Sequence, residues 1–259
     1  MDRYILSAAL SALLICGDVA LADDASDAFV AGKTKACPSC DLSGLDFTGK
    51  DLSRSKLEKA NLSGAKLSGA ILFRSVIQRG NLSKADLSDS DLNRLDGKWA
   101  DFSGANFSNS LMFEADLSSS NLQGANLQGV KLMKARLNGA NLEGANMTSA
   151  DLREARLAGA KLKGADMRAV RLDRQNLRGM DLAGIDFSMS DMIEADFRGA
   201  NLQGAKLAGV NLFGANFNGA DLRGVDFEGA NLERAILTDA QTEGANFDAA
   251  IMPDGRRNE

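Results

Sequence analysis

The sequence predicts a solenoid, a rod in which short structural units of one kind stack on one another. Large apolar residues recur every five positions from Leu42 to Met252, and Leu, Phe, Met or Ile occupies 41 of these 43 positions. The residue two places earlier is usually small, and the residue directly before is Asp or Asn at 29 of the 43. Such regularity indicates a stack of layers, because only a stack gives every copy the same surroundings.

Each five-residue unit predicts a short extended segment followed by a turn. A period of five does not match the 3.6-residue turn of a helix. Residues 60–64 read Ala-Asn-Leu-Ser-Gly, and in an extended segment the Ala and Leu side chains point to one side while Asn points to the other. The Ser and Gly that follow favour a turn. We therefore expect small and large apolar residues inside, Asp and Asn outside, and one domain.

This motif, seen again at residues 200–204, resembles that of the pentapeptide-repeat family, and the resemblance covers about four-fifths of the chain. It implies an all-β fold, a right-handed quadrilateral parallel β-helix with four pentapeptides per coil. The 43 units then make about eleven coils, and at a strand spacing of about 4.8 Å the rod is roughly 50 Å long. The resemblance also implies a bacterial source.

Two departures from the motif predict local repacking. Gly97 lacks the large inward side chain, but Leu95 in the same unit places one where Ala is expected, so the pair exchanges volume within one layer. Gln175, Met180 and Ile185 are three successive large residues at the small position. We expect the coil to be widened or bent there, and Gln175 to find a buried hydrogen-bond partner or move outward.

The first 22 residues have the features of a secretory signal peptide. Arg3 supplies the positive start, residues 5–15 the apolar stretch, and Ala20-Leu21-Ala22 a small-x-small cleavage site. The sequence therefore predicts cleavage after Ala22 and a periplasmic or secreted protein. A membrane anchor is disfavoured because the apolar run is short and Asp18 interrupts it.

The remaining chain divides into three parts and predicts no membrane span. Residues 23–39 form a capping segment in which residues 24–36 can make a short helix over the first coil. Residues 40–252 form the β-helix. Residues 253–259 are a charged tail, where Pro253 and Gly255 end the repeat.

Composition argues against an enzyme and against a nucleic-acid partner. Without residues 1–22 the chain has 29 basic and 33 acidic residues, a balance typical of neither a nucleic-acid binder nor a strongly acidic surface. The whole chain has no His, which excludes His-based triads and most metal-ligand sets. We expect no catalytic residues, no metal site and no cofactor.

Cys37-Pro38-Ser39-Cys40 is the one motif with its own chemistry. We favour a disulfide between Cys37 and Cys40 that fastens the chain to the first coil in an oxidising compartment. A mixed disulfide with a partner and free thiols remain open. A thioredoxin-like redox site would need a helix N-terminus in a βαβ unit, and a zinc site would need two more ligands.

With four units per coil, residues 20 apart stack, which sorts outward residues onto four sides. We number the sides by their first apolar residues, Leu42, Phe47, Leu52 and Leu57. The third side carries outward apolar residues edged by charges of both signs, the anatomy of a protein interface. The predicted interface consists of Ile71, Phe73, Leu111, Phe113, Met133, Ile193, Phe213, Arg74, Arg94 and Arg174.

These features favour a non-enzymatic exported scaffold or protein-interaction rod. The partner is an unidentified protein or a second copy of the chain. Two alternatives remain: a secreted effector or surface component of a host-associated bacterium, and a DNA-mimic protein that protects gyrase. The second is disfavoured by the predicted export, the near-balanced charge and the lack of a long C-terminal helix in the sequence.

Overall fold

The structure is a computed structural model that describes residues 19–259. It contains one helix, α1 (Val19–Val30), followed by a right-handed four-sided β-helix with four pentapeptide units in each coil. Most of the predicted signal peptide lies outside the described residues. Within residues 19–259, no helix has the length and apolar character needed to cross a membrane.

The coils are joined by a ladder of parallel backbone hydrogen bonds. Bridges link residues 20 apart and run from Ala36 with Lys56 to Asn231 with Ile251. Each bridge involves a single residue of the unit, so the sides consist of isolated β-bridges in place of longer strands. The ladder begins at Ala36, before the predicted boundary at residue 40, because the last unit of the capping segment already pairs with the first coil through Lys56.

The core is a continuous stack of the apolar residues that the repeat places inside. The large inward residues from Leu42 to Leu232 are almost completely buried, and Ala or another small residue fills the second inward position. Phenyl rings of neighbouring coils stack, with 4.9 Å between the ring centres of Phe197 and Phe217. Burying one such large side chain contributes about 1.5–3 kcal/mol, so the stack is the main source of stability.

The Asp or Asn before each large residue has two structural roles. Its side-chain oxygen accepts the backbone N–H two residues later, as Asp46 Oδ1 does from Thr48 at 2.9 Å. Asn side chains also bond to the coil below, as Asn61 Nδ2 does to Asp41 Oδ1 at 2.9 Å. The high frequency of Asp and Asn therefore reflects turn formation and inter-coil bonding.

The fifth residue of the unit turns the chain with a left-handed backbone. Its φ is +65° at Gly44, where a glycine adopts it without strain, and +57° at Arg54, where a side chain must accept it. This is the physical reason for the many glycines at the corners of the rod.

Both ends of the rod are covered in part. Phe29 of α1 is buried, and its ring lies 6.1 Å from that of Phe47 in the first coil. Cys37 and Cys40 form the favoured disulfide, and both are buried. At the other end the tail folds back, and Arg257 makes an antiparallel bridge with Ile251.

The exchange of volume predicted at Leu95 and Gly97 is present. Leu95 is buried in the position that Ala usually occupies. A Cβ atom added to Gly97 would lie 3.0 Å from Cζ of Phe102 and 3.2 Å from Cδ2 of Leu117. The space left by the missing large side chain is therefore already filled by its neighbours.

The ladder opens where Gln175, Met180 and Ile185 replace small residues. All three side chains are buried, at 2%, 7% and 2% exposure. Bridges join residues 151 and 171 and then residues 166 and 186, but in the described chain none joins 156 with 176 or 161 with 181. We call this opening, between residues 156–164 and 176–183, the seam.

Restoring a large residue at Gly97 should test the exchange of volume. We expect Gly97→Leu to lower the free energy of unfolding by about 1–3 kcal/mol, because the site is already full. The double variant Leu95→Ala/Gly97→Leu restores the repeat pattern and should unfold near the wild-type temperature. Thermal unfolding followed by circular dichroism measures both, and equal stability of the two variants would contradict the exchange.

Candidate interaction surface

The structure places the predicted apolar residues on the third side at two depths. Ile71 and Leu111 precede the inward residues of their units and are 41% and 45% exposed. The residues that follow the inward positions are half-buried against the rod. These half-buried residues are Phe73, Phe113, Met133, Ile193 and Phe213.

We call these outward apolar residues of the third side the strip, and long cationic side chains lie over its aromatic rings. The guanidinium carbon of Arg74 is 5.1 Å from the ring centre of Phe73, and Lys134 Nζ is 5.8 Å from that of Phe113. Arg234 lies 5.3 Å from the ring of Phe213 in the same way. The rings are thus partly covered by cation–π contacts, worth about 0.5–1 kcal/mol each at exposed sites.

Ion pairs run along the corner beside the strip. Arg94 Nε lies 2.9 Å from Glu114 Oε2, and Arg174 and Glu194 repeat this contact at 2.9 Å. Lys134 Nζ lies 3.7 Å from Glu154. From residue 94 to residue 194 the corner therefore alternates in charge, and each cation has an acidic neighbour in the next coil.

A charged cleft divides the strip into two patches. The lower patch contains Phe113 and Met133 on adjacent coils, and the upper patch contains Ile193 and Phe213. Between them lies a cleft of about 460 Å³, lined by Arg153, Glu154, Asp173, Arg174, Asp191 and Ile193.

Two aspartates of this cleft face each other. Burial, with the hydrogen bond and the charge of Asp191, raises the pKa of Asp173 above its ordinary value of 3.8. One carboxylate oxygen of each has no hydrogen-bond partner among the described residues. The sequence alone gives no reason to single out Asp173, because the rise in its pKa depends on Asp191, which lies in the next coil.

Exposed apolar side chains also lie on other sides of the rod, outside the predicted interface. Met189 at a corner of the second side is 74% exposed, and Ile236 on the fourth side is 45% exposed. Trp99, at 51%, lies under Arg79, whose guanidinium is 5.3 Å from the ring. The residue pattern could have identified these positions, since each is an outward site of the repeat.

Comparison with known proteins agrees with this architecture. The family model for pentapeptide repeats matches in eight copies, over residues 39–72, 81–112, 110–148, 150–188, 190–229 and 215–252. The chain belongs to the pentapeptide repeat family. A search of the curated proteins found no match.

Solved structures of other pentapeptide repeat proteins are similar to this chain. HetL, involved in heterocyst differentiation regulation in the cyanobacterium Nostoc sp. strain PCC 7120, is 28% identical, with 90% of this chain and 97% of HetL covered and a TM-score of 0.37. QnrB1, a plasmid-mediated fluoroquinolone resistance protein, is 20% identical, with 81% and 89% covered and a TM-score of 0.39. The likeness to QnrB1 concerns the fold alone.

The aspartate pair predicts an unusual pH dependence. Because the folded state raises the pKa of Asp173, the stabilising effect of its protonated form is present at acid pH and is lost as the pH rises through that pKa. Asp173→Asn should therefore raise the unfolding midpoint in urea at neutral pH. The difference from wild type should disappear at about pH 3, where Asp173 is protonated in both the folded and the unfolded chain.

Asp221 provides a control of opposite sign. The hydrogen bond from Arg223, with Nε 2.9 Å from Oδ1, lowers the pKa of Asp221. Asp221→Asn should lower the midpoint at neutral pH and have no effect in acid. A neutral-pH loss of stability in Asp173→Asn would show that the two aspartates do not repel each other.

Proposed function

We propose that this pentapeptide repeat protein is an exported, non-enzymatic rod that binds a protein partner through its third side. The observation that carries the proposal is the combination, on one side, of exposed and half-buried apolar residues with a row of charges. Apolar residues rimmed by charges are typical of protein interfaces. Support for export comes from the sequence of residues 1–22, and a buried disulfide is typical of an oxidising compartment.

The charge row favours a second copy of the chain as the partner to test first. Under a twofold axis placed between Lys134 and Glu154, the row is complementary to itself. Lys134 then faces Glu154, Glu114 faces Arg174, and Arg94 faces Glu194 of the second copy. The same axis places Phe73 opposite Phe213. A self-complementary patch is what an isologous dimer requires.

Light scattering on the mature protein, residues 23–259, across a concentration series tests this proposal. We expect a dimer that Phe113→Arg/Phe213→Arg converts to a monomer, because each substitution replaces an apolar contact with a charge that the interface would have to bury. Met189→Arg/Ile236→Arg is the matched control, since it changes two exposed apolar residues on other sides. It should remain a dimer.

A charge exchange tests the proposed axis. Glu114→Arg should weaken the dimer, and adding Arg174→Glu should restore it, because the two positions face each other across the axis. A monomeric parent at every concentration would rule out self-association. Failure of the second change to restore dimerisation would rule out the axis.

Secretion beyond the cell, as an effector or surface component, is the second candidate. This candidate rests on the same residues 1–22, and it differs from the first in placing the mature chain outside the cell and not in the periplasm. Fractionation of a producing culture separates the two: mature chain in the periplasm supports the scaffold, and mature chain in the medium supports the effector or surface component.

A further inference from the structure

The seam is a place where the regular backbone bonding stops on two adjacent sides. In the coil below, Leu137 N donates to Arg156 O at 2.7 Å and Gly139 N to Ala158 O at 2.9 Å. One coil higher, the corresponding N–H groups of Leu157 and Gly159 find no backbone acceptor among the described residues. Peptide groups that face a neighbouring coil without bonding to it are free to bind something else.

Gln175 holds the seam open. Its side chain is buried, and its Nε2 donates to the carbonyl oxygen of Ala155. In a regular coil, the carbonyl oxygen of the residue at the small inward position accepts a hydrogen bond from a backbone N–H of the next coil. Ala135 O, for example, accepts from Arg156 N at 2.8 Å. The Gln175 amide has thus taken the acceptor that Asn176 N–H would use. The opening therefore follows from the sequence, because Gln175 and, one unit later, Met180 place large side chains at inward positions where the repeat has small ones.

A cleft opens at the seam on the fourth side of the rod. Its volume is about 400 Å³, within the range of small-ligand sites. Leu157 and Met180 form an apolar floor and are 1% and 7% exposed. The full lining comprises Asn138, Ala155, Arg156, Leu157, Ala158, Asn176, Arg178 and Met180.

Two arginines stand at the mouth of this cleft. Arg156 is exposed and has no carboxylate within 4.0 Å in the described part of the chain. Arg178 is exposed and reaches Asp196 only at 3.9 Å. Lining residues of the cleft include no acidic side chain. Other arginines near the seam are paired with acids: Arg153 and Arg168 each with an aspartate of their own unit, and Arg174 with Glu194 of the next coil.

We propose that the cleft at the seam binds a small organic anion with an apolar body, of the carboxylate class. The apolar part lies against Leu157 and Met180. The carboxylate is held by Arg156 and Arg178, whose guanidinium groups suit planar anions. The unpaired N–H groups of Leu157 and Gly159 add donors at the same opening. This site lies on a different side from the strip and does not depend on the proposed function.

Binding of the anionic dye 8-anilinonaphthalene-1-sulfonate to the purified protein, read by fluorescence, tests the proposal. Octanoate should displace the dye, and octanamide, which has the same chain without the charge, should not. Gln175→Ala/Met180→Ala restores the small residues and should close the seam. Because it restores the repeat pattern, this variant should unfold at or above the wild-type temperature.

Matched controls separate the site from general surface binding. Val130→Ala/Val210→Ala makes a similar change at small inward positions where the ladder is closed. Arg54→Gln removes an exposed arginine far from the cleft and is the control for Arg156→Gln. Arg156→Gln is an exposed substitution, so it remains informative if the seam variant fails to fold.

We expect Gln175→Ala/Met180→Ala to weaken octanoate-sensitive binding at least about tenfold, and Arg156→Gln to weaken it several-fold, as loss of a charged hydrogen bond predicts. Both control variants should bind as wild type does. The proposal is overturned if the wild type does not bind, if octanamide competes as well as octanoate, or if the seam variant binds unchanged, as it would if the dye sat at an end of the rod.

Discussion

Everything in this molecule depends on the 20-residue register between successive coils. Each coil donates backbone N–H groups to the coil above and accepts from it, so every inward side chain lies directly on its counterpart. Leu62, for example, donates its N–H to Asn81 O at 2.7 Å, and the same bond recurs around and along the rod. One wrong side chain at an inward position therefore disturbs a neighbouring layer as well as its own.

The register explains how much the sequence could predict. A five-residue repeat with one small and one large apolar residue has a single way to stack, so the inward positions, the turns and the exchange at Leu95 and Gly97 followed from pattern alone. The widening at Gln175 was also predictable, because an amide cannot replace a methyl group in a closed layer. The pattern could not show that the Gln175 amide would donate to Ala155 O. Nor could it show that backbone bonding between these two coils would stop on two adjacent sides, since both depend on atomic geometry.

The candidate interface was harder to predict for a related reason. The repeat shows that Phe73, Phe113 and Phe213 point outward, and they do. It does not show that the cations of the corner fold over their rings, because long side chains choose among many rotamers. Single exposed apolar residues on the other sides, such as Met189, also occupy outward positions of the repeat, but they do not line up along one side and so did not indicate an interface.

The rod thus separates two kinds of surface. We propose that the long apolar strip of the third side binds another protein and that the compact opening at the seam binds a small anion. Both arise from departures at outward or small positions, while the large inward positions stay almost uniform. A solenoid permits this separation, because the stacked layers of large inward residues determine the fold and substitutions at outward or small positions change the surface locally.

Residue-resolved hydrogen exchange of the backbone amides tests the register and its interruption most directly. The account predicts slow exchange for Leu137 and Gly139, which are bonded to the next coil, and fast exchange for Leu157 and Gly159 on the same side one coil higher. Equal protection of the two pairs would contradict the account, because it would mean that the ladder is closed at Gln175 and the coils are bonded without a break.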